Sequence, residues 1–104
     1  MAKMKVFISQ PMRGRSSEEI KEERTRILAT LSLMYKDSEI EEIQSYFEED
    51  VESKNPPVAM LGKSIELMAE ADLVVLAPDW CVARGCVIEE KVAYDYGLEI
   101  VDMD

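Results

Sequence analysis

The chain has 104 residues, 47% apolar and 33% charged, a balance that fits one globular domain and excludes a disordered tract. Twenty-two acidic against twelve basic residues give a net charge of −10, which argues against a nucleic-acid backbone binder but leaves room for a small phosphorylated ligand. The absence of histidine, with only two cysteines, removes Ser–His and Cys–His catalysis, a disulfide framework and most zinc sites, leaving carboxylates as the natural chemistry.

No apolar run approaches the length of a membrane span and the N-terminus lacks a signal-peptide core, so a cytoplasmic protein is expected. No metal or cofactor is expected. The first segment, "MKVFISQ" (4–10), is β-branched and aromatic and reads as a buried strand. "PMRGRSS" (11–17) is a loop. Ser16 with Glu19 three residues on has the form of a capping box, opening a helix over 17–35 with Ile20, Ile27, Leu28 and Leu31 at helical spacing.

"EIEEIQSYF" (39–47) has helical spacing at Ile40 and Ile43, yet an α/β fold needs a strand here, so a short strand is expected over 40–46. "EEDVESKNPP" (48–57) reads as an acidic, exposed and mobile connection. A second helix is expected over 58–71, with Met60, Leu61, Ile65 and Met68 on one side. "DLVVLAP" (72–78) is a continuous apolar run and the clearest strand. A third helix runs over 85–96 and ends at Gly97, and "LEIVDM" (98–103) is the last strand.

The order β-α-β-α-β-α-β implies a parallel sheet covered on both faces by helices, in one domain spanning 1–104. Ligands of such sheets bind beyond the carboxyl ends of the strands, near a switch in strand order. That rule selects two loops, 9–16 and 77–85. The first offers Ser9, Gln10, Arg13 and Gly14 ahead of a helix N-terminus, which suits a phosphate or carboxylate; an ordinary solvated loop is the competing reading.

The second leads into the third helix, where Glu89 falls at the centre of an arc shared with Gly85, Cys86, Val92, Ala93 and Tyr96. A carboxylate there is costly unless something uses or satisfies it, so Glu89 is the candidate catalytic residue. Trp80 can either lid a core edge or stack on a planar ligand, and Arg84 can hold an anion or Glu89. Cys81 and Cys86 read as small, partly buried residues.

The segments "VFISQPMRG" (6–14), "LGKSIELMAEADLVVLAP" (61–78) and "WCVARGCVIEEKVAYDYGLEIV" (80–101) together resemble the nucleoside 2-deoxyribosyltransferase-like superfamily, over nearly the whole chain. Gly85, Glu89, Ala93 and Gly97 reproduce that superfamily's glycine–glutamate–alanine–glycine spacing. The resemblance implies a flavodoxin-like (Rossmann-like) three-layer sandwich, a homo-oligomer, and cleavage or transfer at a nucleoside or nucleotide N-glycosidic bond. Its glutamate attacks the anomeric carbon, as a retaining glycosidase does. By the same resemblance Ser9, Arg13 and Gly14 hold a 5′-phosphate; Gln10, Trp80, Arg84 and Gly85 are the further candidates for contact with the ligand. Two positions depart from the pattern: Phe7 stands where the transferases carry a tyrosine, and Ser64 where an aspartate protonates the base. They leave hydrolysis, or nucleotide binding without turnover, beside transfer.

Overall fold

The computed structural model describes residues 2–47 and 52–104. In chain order these form β1 (Ala2–Ser9), α1 (Ser17–Met34), β2 (Ser38–Glu42), α2 (Pro56–Met68), β3 (Leu73–Leu76), α3 (Arg84–Asp95) and β4 (Ile100–Asp102), with a single 3₁₀ turn at Trp80–Val82 before α3. The four strands make one all-parallel sheet in the order β2-β1-β3-β4. This is a small flavodoxin-like α/β sandwich, as expected.

Strand alternation separates the two faces of the sheet. Val6, Ile8, Leu73 and Val75 point to one side and pack with Ile27 and Leu31 of α1. Phe7, Val74 and Leu76 point to the other, against Met68 of α2 and Ala93 of α3. All of these side chains are buried. Burying each large apolar group contributes about 1.5–3 kcal/mol, so the two half-cores are the main stabilising term. Ser9 lies two residues beyond Phe7 in register with Leu76, and so faces the α2/α3 side. That places a hydroxyl, not another apolar group, where α3 begins.

The local signals explain the helix ends. Ser16 Oγ accepts from the Glu19 N–H and Glu19 Oε1 accepts from the Ser16 N–H, both at 3.1 Å, which completes the capping box at α1. Gly97 takes φ +73° beyond α3; its N–H donates to Tyr94 O, and the Leu98 N–H to Ala93 O at 2.9 Å, a Schellman closure. The start of α2 differs from expectation. Asn55 caps it by accepting from the Val58 N–H, and Pro56 occupies the first turn, so the helix begins two residues before 58 and stops at Met68.

The second strand also moves, from the expected 40–46 to Ser38–Glu42. Past Ile43, whose N–H still donates to Val6 O, the chain leaves the ladder because Ser45 turns inward and bonds Ile8 O and Arg24 instead. Of the connection expected over 48–57, residues 48–51 lie outside the described residues. Among the described residues no helix is long and apolar enough to cross a membrane.

Candidate functional site

In the order β2-β1-β3-β4 the strand sequence reverses between β1 and β3, and a cavity of about 610 Å³ opens beyond their carboxyl ends. That volume suits a ligand of nucleotide size. Its floor includes Phe7, Ile8, Cys86 and Glu89, all buried, while Arg13, Val82 and Arg84 stand exposed at the rim. α2 contributes Met60, Leu61 and Ser64, and Phe47 flanks them from the segment after β2.

Glu89 is only 7% exposed, buried by the same α3 face that carries Cys86 and Ala93. Ser9 donates to its Oε1 at 2.6 Å, the short distance of a charge-assisted bond. Ser64 of α2 also lines the cavity, and its hydroxyl favours the ionised form of the same carboxyl. Burial pushes the Glu89 carboxyl above its ordinary value; the Ser9 bond, the positive field of Arg24 and the Ser64 bond pull the other way. The result is a carboxylate oriented by hydroxyls from two elements, with a face on the cavity. It has no bidentate cation against it, and so retains a reactive oxygen.

The cation that serves Glu89 is one that the sequence reading did not single out. Arg24 is 4% exposed on the inner face of α1. Its Nε donates to Gln10 Oε1 at 2.8 Å, Nη1 to Glu42 Oε2 at 3.1 Å, and Nη2 to Ser45 Oγ at 2.9 Å. Burial lowers the pKa of its guanidinium and Glu42 restores part of that shift. The signal was present: Ile20, Arg24, Ile27 and Leu31 lie on one helical stripe, and all four are buried.

The first loop divides into parts with different jobs. Gln10 lines the cavity, but its amide nitrogen donates to Ile20 O and Glu23 while its oxygen accepts from Arg24, so its side chain braces the loop. Ser9 is spent on Glu89 and does not line the cavity; it positions the carboxylate in place of holding phosphate. Gly14 lies outside the lining and takes φ +76°, a turn position that favours glycine. Arg15 is pinned to Pro11 O and Glu23. Of Ser9, Arg13 and Gly14, the three residues expected to hold a 5′-phosphate, only Arg13 lines the cavity.

At the second loop, Arg84 and Gly85 line the cavity and Trp80 does not. The Trp80 ring packs on the core cluster that contains Phe7, Val74 and Leu76, and its Nε1 donates to Asp102 Oδ1 at 3.0 Å. The indole therefore lids a core edge and ties the turn to β4. Arg84 makes no bond to Glu89, whose partners are Ser9 and Ser64. No ion pair among the described residues engages Arg13 or Arg84, which frees both guanidiniums for an anion. α3 has no side-chain cap, so its first-turn N–H groups add to the same positive rim.

Cys86 is buried and Cys81 exposed. Desolvation pushes the Cys86 thiol up to about 11, which makes it a packing group, not a nucleophile. Among the described residues no cluster of three or more acidic or thiol groups is placed to hold a metal. Comparison with protein families, with curated proteins and with solved structures found no match to this chain.

Proposed function

We propose that this chain is a cytoplasmic nucleoside or nucleotide N-glycosidase, or a deoxyribosyltransferase of the same chemistry. The observation that supports it is Glu89: a buried carboxylate, oriented by Ser9 and Ser64, at the floor of a cavity whose rim carries two unpaired guanidiniums. The phosphate of a nucleotide meets Arg13, Arg84 and the α3 N-terminus. The anomeric carbon then lies toward Glu89, which attacks it and forms a glycosyl ester that water or a second base resolves.

A panel of nucleoside 5′-monophosphates, spanning neutral and quaternised bases, tests this by chromatography of the free base. Release is expected from at least one member and is expected to disappear in Glu89→Gln. No release from any member, or equal release from the variant, would remove the reading.

Phe7 and Ser64, which replace the tyrosine and aspartate of the resembled transferases, support a second reading as a nucleotide-binding module without turnover. Calorimetry that shows tight binding with the nucleotide recovered intact favours it. The resemblance also carries a homo-oligomer. Sedimentation velocity across a concentration series checks that, and a monomer throughout would exclude it.

A further inference from the structure

The charge in this cavity is laid out along its depth. The buried carboxylate is at the floor and the exposed guanidiniums are at the mouth, and Met12, Met60 and Phe47 also line the cavity. The Phe47 ring is itself engaged by Lys63 Nζ at 4.1 Å from its centroid, so the attraction for positive charge comes from the carboxylate at the floor. Such a cavity complements a ligand that is positive at its inner end and negative at its outer end.

Proton supply points the same way. A neutral purine or pyrimidine leaves as an anion unless a ring atom is protonated as the glycosidic bond breaks. The lining holds few candidates for that donor. Arginine does not release its proton near neutrality, so Arg13 and Arg84 are excluded. The Cys86 thiol is held by burial, the Ser64 hydroxyl is too weak an acid to protonate a base near neutrality, and Glu89 itself is the nucleophile. Among the described residues of the lining, no side chain is left to discharge a neutral base.

We propose, resting on the reading of Glu89 as nucleophile, that the substrates of this site are nucleotides whose base is already cationic: pyridinium or N7-alkylated purinium N-glycosides. A Glu89 carboxylate oxygen bonds to the anomeric carbon. The carbon–nitrogen bond breaks with its electron pair returning to the ring, which cancels the positive charge, and the base departs neutral. Water then attacks the anomeric carbon, the ester's electron pair returns to Glu89, and one proton passes to solvent. The products are a sugar phosphate, a neutral base and a proton, with no acid required at the leaving group.

The experiment compares nicotinamide mononucleotide and N7-methylguanosine 5′-monophosphate with adenosine and guanosine 5′-monophosphates, each rate divided by its uncatalysed rate. A hundredfold or greater preference for the cationic pair is expected, abolished by Glu89→Gln. The kcat/KM for nicotinamide mononucleotide is expected to rise as Glu89 ionises and then stay level to about pH 9, because no protonated donor is consumed. A falling alkaline limb between about pH 7 and 8 would reveal such a donor and overturn the proposal. Converting Glu48, Glu49 and Asp50 together to their amides is expected to leave that rate unchanged, and its loss would count equally against. If guanosine monophosphate is cleaved as well as its N7-methyl form, in a Glu89-dependent way, this inference falls and the glycosidase reading stands. If none of the four is cleaved, this inference falls, and the glycosidase reading is decided by the remaining members of the panel.

Discussion

Glu89 is asked to be ionised for chemistry in a place that disfavours its charge. Ser9 and Ser64 mitigate that cost without removing it, since burial still dominates and leaves the carboxyl above its ordinary value. A folded-state value that is raised favours the protonated form of the native protein. Its contribution is therefore fully present below the unfolded carboxylate range and lost as pH rises through the folded value. Glu89→Gln keeps the shape and removes the charge. It is expected to match the parent at acid pH and to have the higher Tm at neutral pH. Thermal melts across pH check this, and a variant less stable at neutral pH would contradict the balance. Ser9→Ala removes a donor that favours the ionised form, so the acid limb of any Glu89-dependent activity is expected to move to higher pH.

Arg24 carries the opposite risk, because its neighbours are built around it. Gln10, Glu42 and Ser45 all direct polar atoms at one guanidinium that is 4% exposed. Arg24→Met strands those groups and is expected to cost about 3 kcal/mol in urea denaturation. Arg24→Lys is expected to recover less than half, since one ammonium cannot serve three directions in a plane. A cost under about 1 kcal/mol for the methionine variant would show that the loop and the segment after β2 are held by other contacts.

At the scale of elements, the corner between β3 and α3 is fastened from a distance. Asp79 adopts the left-handed region at φ +66°, a conformation uncommon outside glycine, and its N–H donates to the Asp104 carboxylate at 3.0 Å. One residue on, Trp80 donates to Asp102. These two bonds hold the turn that aims α3, and therefore Glu89, at the cavity. Asp102→Ala is expected to cost about 1 kcal/mol and to shift the fluorescence of the lone tryptophan to the red. An unchanged spectrum would mean that the core beside Phe7 fixes the indole alone.

The same scale shows where sequence was readable. Continuous apolar strands, the Ser16–Glu19 box and Gly97 gave five of the seven elements within about two residues, because each signal is local. β2 and α2 were placed less well, α2 beginning two residues before and ending three residues before its expected bounds. The end of β2 is decided by Ser45 meeting Arg24 across 21 positions of the chain, a partner that no window around residue 45 contains. The Asn55–Pro56 pair looked like loop chemistry, yet the same residues cap and open a helix. Glu89 was legible because a charge stood in an apolar arc; Arg24 satisfied the same test and was passed over. Ser9 was read as a ligand group because its partner, 80 positions away, is visible only in three dimensions.

Across the whole molecule the charge is lopsided, and the site works against it. A net charge of −10 on 104 residues repels itself and repels an anionic ligand at long range, while Arg13 and Arg84 attract only near the cavity mouth. Ion pairs among the described residues include Arg15–Glu23, Arg24–Glu42 and Lys91–Asp95. The last is a surface pair worth little, and the first two are partly shielded from solvent. Repulsion among the excess carboxylates therefore outweighs attraction in the part of the electrostatics that salt can reach. Raising sodium chloride from about 10 mM to about 500 mM shrinks the screening length from roughly 30 Å to roughly 4 Å. The Tm is expected to rise over that interval, and to rise less in a variant where several exposed glutamates of β2 and α1, such as Glu18, Glu22, Glu39 and Glu41, are made glutamine. A fall in Tm with salt would mean that attractive pairs on the exposed surface, such as Lys91–Asp95, outweigh the repulsion among the excess carboxylates.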